Sequence, residues 1–192
     1  MKSLFFVLIL ISSLQSWTKA DEVSDLQINN FSVGDSLLKF QSTQFIEQTE
    51  KYFFPGSKKF YRISLKVDDE NYDFVAFYLK YNDKKYKIYG LEGLKYIKFS
   101  ECKKKMEKIK NNMKKNFNQK YKIINNEHPH SYDKTKKSTV KIIDFISDKH
   151  YTISRIICTD WPKKMEKQKF YDNLAIYLQS EEFSNFMLNE AY

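Results

Sequence analysis

The stretch FYRISLKVDDENYDFVAFYLKYNDKKYKIY, residues 60–89, decides the fold of this chain. Its first part places Tyr61, Ile63 and Leu65 at alternate positions, which is the period of a strand with one buried face. Polar clusters rich in Asp and Asn interrupt the apolar pattern twice and predict tight turns. The expected strands cover residues 60–67, 72–80 and 85–89, and Gly90 and Gly93 close the third. Because the connections are short, we expect an antiparallel meander.

A long helix is predicted at residues 100–117, after the meander. Its apolar residues recur at steps of three and four, which places them in one narrow stripe. The residues of the stripe are Cys102, Met106, Ile109, Met113 and Phe117. Ser100 is placed to cap the first turn, and lysines fill the other faces. We expect this helix to lie with its stripe on a sheet.

Further elements flank these two. Ser36 is placed to start an earlier helix that ends near Lys51. Residues 118–137 are polar and rich in Asn and Lys, so we expect a mobile loop there, with a short strand at 121–124. Three more strands and a closing helix capped by Ser180 follow, at 138–147, 150–159, 173–180 and 181–189. The expected fold class is α+β: about three helices packed with an antiparallel sheet of about six strands, arranged as one sheet or as two three-stranded meanders.

Residues 1–20 have the pattern of a cleavable secretory signal peptide. A lysine follows the initial methionine, residues 4–14 are apolar, and the small residue Ala20 precedes the expected cleavage before Asp21. The apolar run is about half of the roughly 20 residues that a membrane-spanning helix needs. We therefore expect a single α+β domain at 21–192, periplasmic or secreted, and not an integral membrane protein after cleavage.

The chain is basic, with 33 Lys and Arg against 24 Asp and Glu and a net charge of +9. Only Arg62 and Arg155 are arginines. Proteins that read nucleic acids rely on the planar arginine fork for phosphates and bases, so the composition argues against a nucleic-acid partner. We interpret most lysines as a solvated face, and the alternative is that they meet an anionic component of the cell envelope.

Cys102 and Cys158 are the two cysteines of the chain. In an oxidising compartment, an isolated pair is most simply a disulfide, and closing a loop of this length stabilises a fold by about 4 kcal/mol. The alternative is two buried free thiols. Neither cysteine has the Cys-x-x-Cys spacing of a redox site.

The letters GDSL at residues 34–37 resemble the motif that names the GDSL family of exported esterases. The block NNEHP at residues 125–129 is similar to that family's Asp-x-x-His-Pro block. The resemblance implies Ser36 as the nucleophile and His128 as its base. However, Asn125 stands where the family has an aspartate, and the strands of this chain come in runs and do not alternate with helices. We therefore interpret the letters as a chance match and keep the esterase as the alternative function.

The three histidines are the other candidates for a chemical site. His128 and His130 can place two imidazoles on one side of an extended segment, as in some metal sites, whereas His150 lies apart in the sequence. A turn at Pro129 explains the same residues equally well. We assign no catalytic residue, no metal and no cofactor.

Residues 31–60, 86–93 and 172–174 resemble a set of small exported proteins from AT-rich marine bacteria. The resemblance implies no activity, because that family has none assigned. We expect an exported, non-catalytic binding or interaction module whose partner is an anionic envelope component or another periplasmic protein. Its expected binding surface contains more aromatic residues than a small core needs: Tyr52, Phe53, Phe54, Tyr72, Tyr78 and Tyr81.

Overall fold

The structure is a computed structural model that describes residues 26–117 and 120–192. The expected signal peptide and its cleavage site between Ala20 and Asp21 lie outside the described residues. The fold is α+β with antiparallel sheets, which confirms the predicted class, although there are more strands than predicted. No helix within the described ranges is long and apolar enough to cross a membrane.

Eight strands form the main sheet, and two short strands form a separate hairpin. The hairpin consists of β1 (Gln27–Ile28) and β2 (Phe31–Ser32). The main sheet consists, in chain order, of β3 (Tyr52–Phe54), β4 (Ser57–Lys66), β5 (Phe74–Lys80), β6 (Ile88–Tyr96), β7 (Tyr121–His128), β8 (Thr139–Ser147), β9 (Thr152–Asp160) and β10 (Asn173–Gln179). The α-helices are α1 (Thr43–Gln48), α2 (Phe99–Asn116), α3 (Lys163–Glu166) and α4 (Glu181–Asn189), and a 3-10 turn at Leu37–Lys39 precedes α1.

The main sheet consists of two four-stranded meanders that meet at their last strands. Its order is β3-β4-β5-β6-β10-β9-β8-β7, so β6 and β10 are neighbours at the centre. A helix follows each meander, α2 after β6 and α4 after β10. The chain therefore shows the order of four strands and a helix twice. The two four-stranded units meet at the centre of the sheet, where β6 pairs with β10.

The two long helices, α2 and α4, cover opposite faces of this sheet. Each strand supplies side chains to both faces, because alternate residues of a strand point to opposite sides. The face under α2 and the β1–β2 hairpin, called here the α2 face, has a core that includes Phe77, Leu91 and Ile176. The other face, called the α4 face, is crossed at one end by α4, whose Phe183 packs against Phe60 with ring centroids 5.3 Å apart.

α2 packs against β9 and β10 through the buried residues of its apolar stripe. Cys102 on α2 and Cys158 on β9 lie at disulfide distance, with their Cα atoms 5.8 Å apart, and they are 56 positions apart in the sequence. The predicted cap at Ser100 is wrong, because the helix begins one residue earlier and Lys98 occupies the cap position without a side-chain hydrogen bond. The cap of α4 is confirmed, since the Ser180 hydroxyl accepts the N–H of Phe183 at 3.2 Å.

The two edge strands of the main sheet, β3 and β7, and the two hairpin strands, β1 and β2, account for the difference in strand number. β7 occupies residues 121–128 and pairs along its whole length with β8, so the short strand expected at 121–124 is present and extends through residues 125–128, where a loop was expected. An edge strand has one neighbour and a solvated outer side, so it tolerates polar residues that hide its strand period. Asn125 and Asn126 of β7 are exposed for this reason.

The helix expected between Ser36 and Lys51 is two short elements. The Ser36 hydroxyl accepts the N–H of Leu38 and starts the 3-10 turn, whereas the Ser42 hydroxyl accepts the N–H of Phe45 and starts α1. Ser36 and Ser42 both have extended backbone angles. Because Ser42 lies between the 3-10 turn and α1, its extended backbone prevents one continuous helix.

Gly90 and Gly93 lie inside β6 and do not close it, so the predicted end of the third strand is wrong. A Cβ on Gly90 would lie 2.8 Å from the ring of Phe183, and a Cβ on Gly93 would lie 2.4 Å from the ring of Tyr72. Aromatic rings therefore lie flat on β6 on opposite faces, and only glycine leaves room for them.

Candidate functional site

A row of polar and charged side chains crosses the α4 face at the centre of the main sheet. Its members, called here the charged row, are Arg62 on β4, Tyr78 on β5, Glu92 on β6, Tyr177 on β10, Arg155 on β9 and Asp144 on β8. Strand register sets this order, because Tyr177 pairs across the sheet with Glu92 on one side and with Arg155 on the other. Such cross-strand neighbours on one face are close enough to interact directly.

Glu92 is buried and accepts three hydrogen bonds. Arg62 Nε donates to Oε2 at 3.1 Å, the Tyr78 hydroxyl donates to the same oxygen at 2.8 Å, and the Tyr177 hydroxyl donates to Oε1 at 3.2 Å. A buried carboxylate is tolerated only when its charge and its lone pairs are satisfied, and these three donors provide that. The network joins the two meanders at their central junction.

Asp144 and Arg155 form the second half of the charged row. Arg155 Nε donates to Asp144 Oδ1 at 2.6 Å, and Nη2 donates to Oδ2 at 3.0 Å, so the pair is bidentate. The Asp144 side chain is 7% exposed and the Arg155 side chain is 40% exposed. Arginine can offer this planar fork and lysine cannot, which explains an arginine here in a chain rich in lysine.

The two tyrosines of the charged row stay protonated well into alkaline conditions. Burial raises the pKa of Tyr78 and of Tyr177 well above the ordinary value, and the neighbouring Glu92 carboxylate raises both further. Burial lowers the pKa of Arg62, but Glu92 outweighs that effect and the net pKa is raised. The row therefore holds two cations, two anions and two neutral phenols, and its formal charge is zero.

A pocket of about 200 Å³, called here the α4 pocket, lies where the charged row meets α4. Its polar floor consists of Tyr78, Arg155, Tyr177 and Gln179. Its apolar wall consists of Phe54, Ile157, Phe183, Met187 and Tyr192. A cavity of this volume is large enough for one small ring compound.

Gln179 is the one floor residue whose side chain has no hydrogen-bond partner among the described residues. It is 9% exposed, and its position in β10 places its side chain on the same face as Tyr177. A primary amide offers two donors and one acceptor. Among the described residues, Ser64 Oγ is the one fully buried side-chain N or O atom without a partner, so the amide atoms of Gln179 are open to the pocket and not sealed in the core. This amide is therefore available to a molecule in the pocket.

The α4 pocket thus combines a few fixed polar groups with aromatic walls, the usual composition of a small-molecule site. Phe54 lies 5.2 Å from Phe186 and 6.3 Å from Tyr192 between ring centroids, so several rings border the same space. The guanidinium of Arg155 keeps N–H groups beyond the two that bind Asp144.

The structure does not bring Ser36 and His128 together. Ser36 donates its hydroxyl to the carbonyl of Lys85 at 2.6 Å and bridges to Lys87, next to the start of β6. His128 ends β7, four strand positions from β6, which corresponds to roughly 19 Å at the usual strand spacing. The geometry therefore offers no serine–histidine pair for the esterase reading.

Among the described residues, no group of three or more His, Cys, Asp or Glu is arranged to hold a metal ion. His130 packs against Trp161 with ring centroids 4.4 Å apart, and burial lowers its pKa. His128 Nδ1 lies 2.9 Å from the carbonyl of Pro129. His128 is the last residue of β7, and His130 lies in the turn that follows it.

The aromatic residues singled out in the sequence separate into three places. Phe53 forms an exposed patch with Tyr81, in which the two rings are 5.7 Å apart, whereas Tyr52 is exposed and its hydroxyl donates to Glu50. Phe54 and Tyr78 line the α4 pocket. Tyr72 lies on the opposite face, against Gly93 and α2.

Sequence reasoning missed the charged row and Gln179. The signal was present in the two arginines, which are the only ones among 33 basic residues. Where lysine is the default cation, an arginine marks a position that needs a planar, bidentate donor. Glu92 and Gln179 carried no such signal, because their neighbours in space come from other strands.

Fold and site together define a small α+β protein with a balanced polar pocket on one face of an eight-stranded antiparallel sheet. No protein-family model, curated protein or solved structure matches the chain. Its function is therefore argued from the pocket.

Proposed function

We propose that this protein is an exported, non-catalytic binding module whose α4 pocket holds a small uncharged ring compound with a hydrogen-bonding edge, such as a monosaccharide. The observation that carries the proposal is Gln179, whose side-chain amide lines the floor of the pocket and has no hydrogen-bond partner among the described residues. A ligand that displaces water from the pocket can form these hydrogen bonds with the amide.

The charge balance of the pocket supports an uncharged ligand. Arg155 is the one charged residue that lines it, and Asp144 already neutralises that guanidinium. An anion has to compete with Asp144, and a cation has to approach Arg155. A neutral ring meets neither penalty, and it can place its apolar face against Phe54 and Tyr192.

Export is part of the proposal. It is supported by the signal-peptide pattern of residues 1–20 and by Cys102 and Cys158 at disulfide distance, as is usual in an oxidising compartment. The proposed partner is therefore a small molecule of the periplasm or of the surroundings of the cell.

Chemical-shift perturbation of isotope-labelled protein tests the pocket directly. We expect D-glucose, D-galactose or N-acetyl-D-glucosamine to shift the side-chain amide of Gln179 and the backbone amides of Gln179 and Tyr192. The expected dissociation constant is about 1 mM, since a pocket of this size supplies roughly 4 kcal/mol. Glucuronate and glucosamine, which add a charge to the same ring, are expected to bind more weakly.

Gln179→Met separates binding from folding. It removes the amide at nearly constant volume, so sugar binding is expected to fall about tenfold while stability stays equal or rises. Gln41→Met, at a half-buried glutamine outside the pocket, is the matched control and should leave binding unchanged. Sugar-induced shifts that map to the Phe53–Tyr81 patch, or shifts that Gln179→Met does not alter, would contradict the proposal.

A further inference from the structure

A second cavity runs along α2 on the α2 face, on the other side of the sheet from the α4 pocket. Its larger part has a volume of about 280 Å³ and lies between α2 and Tyr72. A second part of about 150 Å³ continues it toward Ile28. Because Tyr72, Ile109 and Ile176 line both parts, the two parts adjoin, and together they are called here the α2 groove.

The floor of the α2 groove is apolar and fixed. Leu174, Ile176 and Leu178 of β10 form it, and their side chains belong to the core. Tyr72 forms the wall opposite α2, because its ring lies on Gly93, where a Cβ would come within 2.4 Å. The main sheet and α2 therefore hold open an apolar channel that no side chain of the described residues fills.

The rim of the α2 groove is cationic. α2 contains seven lysines and two glutamates, so this one helix carries more than half of the net charge of +9. Lys105 and Lys108 lie on the rim, and neither forms an ion pair with any carboxylate of the described residues. Asn71 and Asn112 add neutral amides beside them.

We propose that the α2 groove binds a single-chain anionic amphiphile. Its alkyl chain lies on the β10 floor, and its carboxylate or phosphate head lies between Lys105 and Lys108. An apolar floor gives a purely hydrophilic anion little to bind, and a lysine rim disfavours a cationic head. The ligand class and the site both differ from those of the α4 pocket, so this inference goes beyond the proposed function.

Calorimetric titration tests the two parts of the claim with decanoate and decyltrimethylammonium below their micelle concentrations and 1-decanol below its solubility limit. Decanoate is expected to bind about tenfold more tightly than 1-decanol at low salt, and this advantage should shrink as salt screens the lysines. Decyltrimethylammonium is expected to bind more weakly than either. Replacing octanoate by decanoate should tighten binding by up to about 15-fold, because each buried methylene contributes up to about fourfold.

Matched variants of α2 locate the site. Lys105→Gln with Lys108→Gln is expected to bring decanoate affinity down to that of 1-decanol. Lys104→Gln with Lys114→Gln removes the same charge outside the groove and should change affinity by less than about twofold. Ile109→Trp fills the groove and should abolish binding of both ligands. Asn112→Trp, at an exposed rim position, does the same if Ile109→Trp does not fold.

Three results would overturn this assignment. The first is equal affinity for decanoate and 1-decanol, which removes the lysine rim from recognition. The second is unchanged binding in a folded groove-filling variant. The third is binding to phosphatidylglycerol vesicles without binding of decanoate or decyl phosphate, which makes α2 a membrane-surface contact. Gln179→Met should leave decanoate binding unchanged, so failure here is separate from failure of the α4 pocket.

Discussion

At the scale of residues, Asp144 and Arg155 show how a buried charge is accommodated on the α4 face. Asp144 is almost fully buried, and Arg155 supplies both hydrogen bonds that make its charge tolerable. A buried ion pair adds little net stability compared with apolar side chains, but breaking it by removing one partner is costly. The charged row is therefore better explained by what it presents to the α4 pocket than by stability.

Arg155→Met is expected to destabilise the protein by about 2–3 kcal/mol, because it leaves the Asp144 carboxylate buried without a cation. The loss is set below that of a fully buried pair because the Arg155 side chain is 40% exposed. Adding Asp144→Val should recover most of the loss, since the double variant has no unpaired charge. Urea unfolding of the two single variants and the double variant measures this coupling.

The control is Lys80→Met, which removes the cation of the exposed pair with Glu182. Lys80 and Glu182 are 39% and 42% exposed, so the change should cost less than about 0.5 kcal/mol. Additive losses from Arg155→Met and Asp144→Val would show that the pair is not coupled.

At the scale of elements, Asp133 fixes the turn between β7 and β8. Its carboxylate accepts the N–H of Thr135 at 2.9 Å, of Lys137 at 2.8 Å and of Ser138 at 2.7 Å. The Thr135 hydroxyl also donates to it at 2.6 Å, and these donors lower the pKa of Asp133 well below its usual range. A carboxylate with this many donors sets the register in which edge strand β7 joins the sheet.

The lowered pKa gives a pH dependence with a definite sign. The stabilisation is fully present above the usual pKa of an aspartate, about 4, and is lost as the pH falls toward the lower folded value. Asp133→Asn is therefore expected to lower the melting temperature at pH 6, and its difference from the wild type should shrink between pH 4 and pH 2. Thermal unfolding across this range measures the effect, and a difference that is constant with pH would contradict it.

The sequence predicted those elements whose pattern reflects their own burial. α2, α4 and the inner strands β4, β5, β8, β9 and β10 are close to their predicted ranges, because a face buried by the core imposes its period on the chain. β3 was missed, and β7 was predicted only at 121–124, because an edge strand buries too little to show that period along its whole length. β6 was misplaced because Gly90 and Gly93 are typical of turns, and only their distant neighbours Phe183 and Tyr72 explain them.

At the scale of the whole molecule, each meander relies on the helix of the other. α2 follows the first meander but packs on β9 and β10 of the second. α4 follows the second meander but reaches the first, where Phe186 contacts Phe60 and the carbonyl of Ala191 accepts the N–H of Gly56 at 2.9 Å. Cys102 of α2 and Cys158 of β9 lie at disulfide distance at the same interface. Neither half has a complete core of its own.

Because the helix that follows each meander contacts the other meander, we expect residues 21–192 to unfold in one cooperative transition, with or without the disulfide. Thiol titration of unreduced protein is expected to find no free cysteine. Replacing Cys102 and Cys158 by alanine should lower the free energy of unfolding by about 4 kcal/mol, because the bond closes a long loop in the unfolded chain. Both halves should lose stability together, since the lost restraint acts on the unfolded state of the entire chain.

Trp161 makes the measurement simple, because the other tryptophan, Trp17, precedes the expected cleavage site. Its fluorescence reports on the second half, whereas far-UV circular dichroism reports on both halves. The two urea transitions should coincide in the wild type and in the double alanine variant. Leu79→Ala, in the buried core of the first half, should shift the Trp161 transition by the same amount as the circular dichroism transition. Suppose that Leu79→Ala leaves the midpoint of the Trp161 fluorescence transition unchanged while the circular dichroism curve divides in two. The halves then fold independently, and the contacts of each helix with the other meander do not couple them.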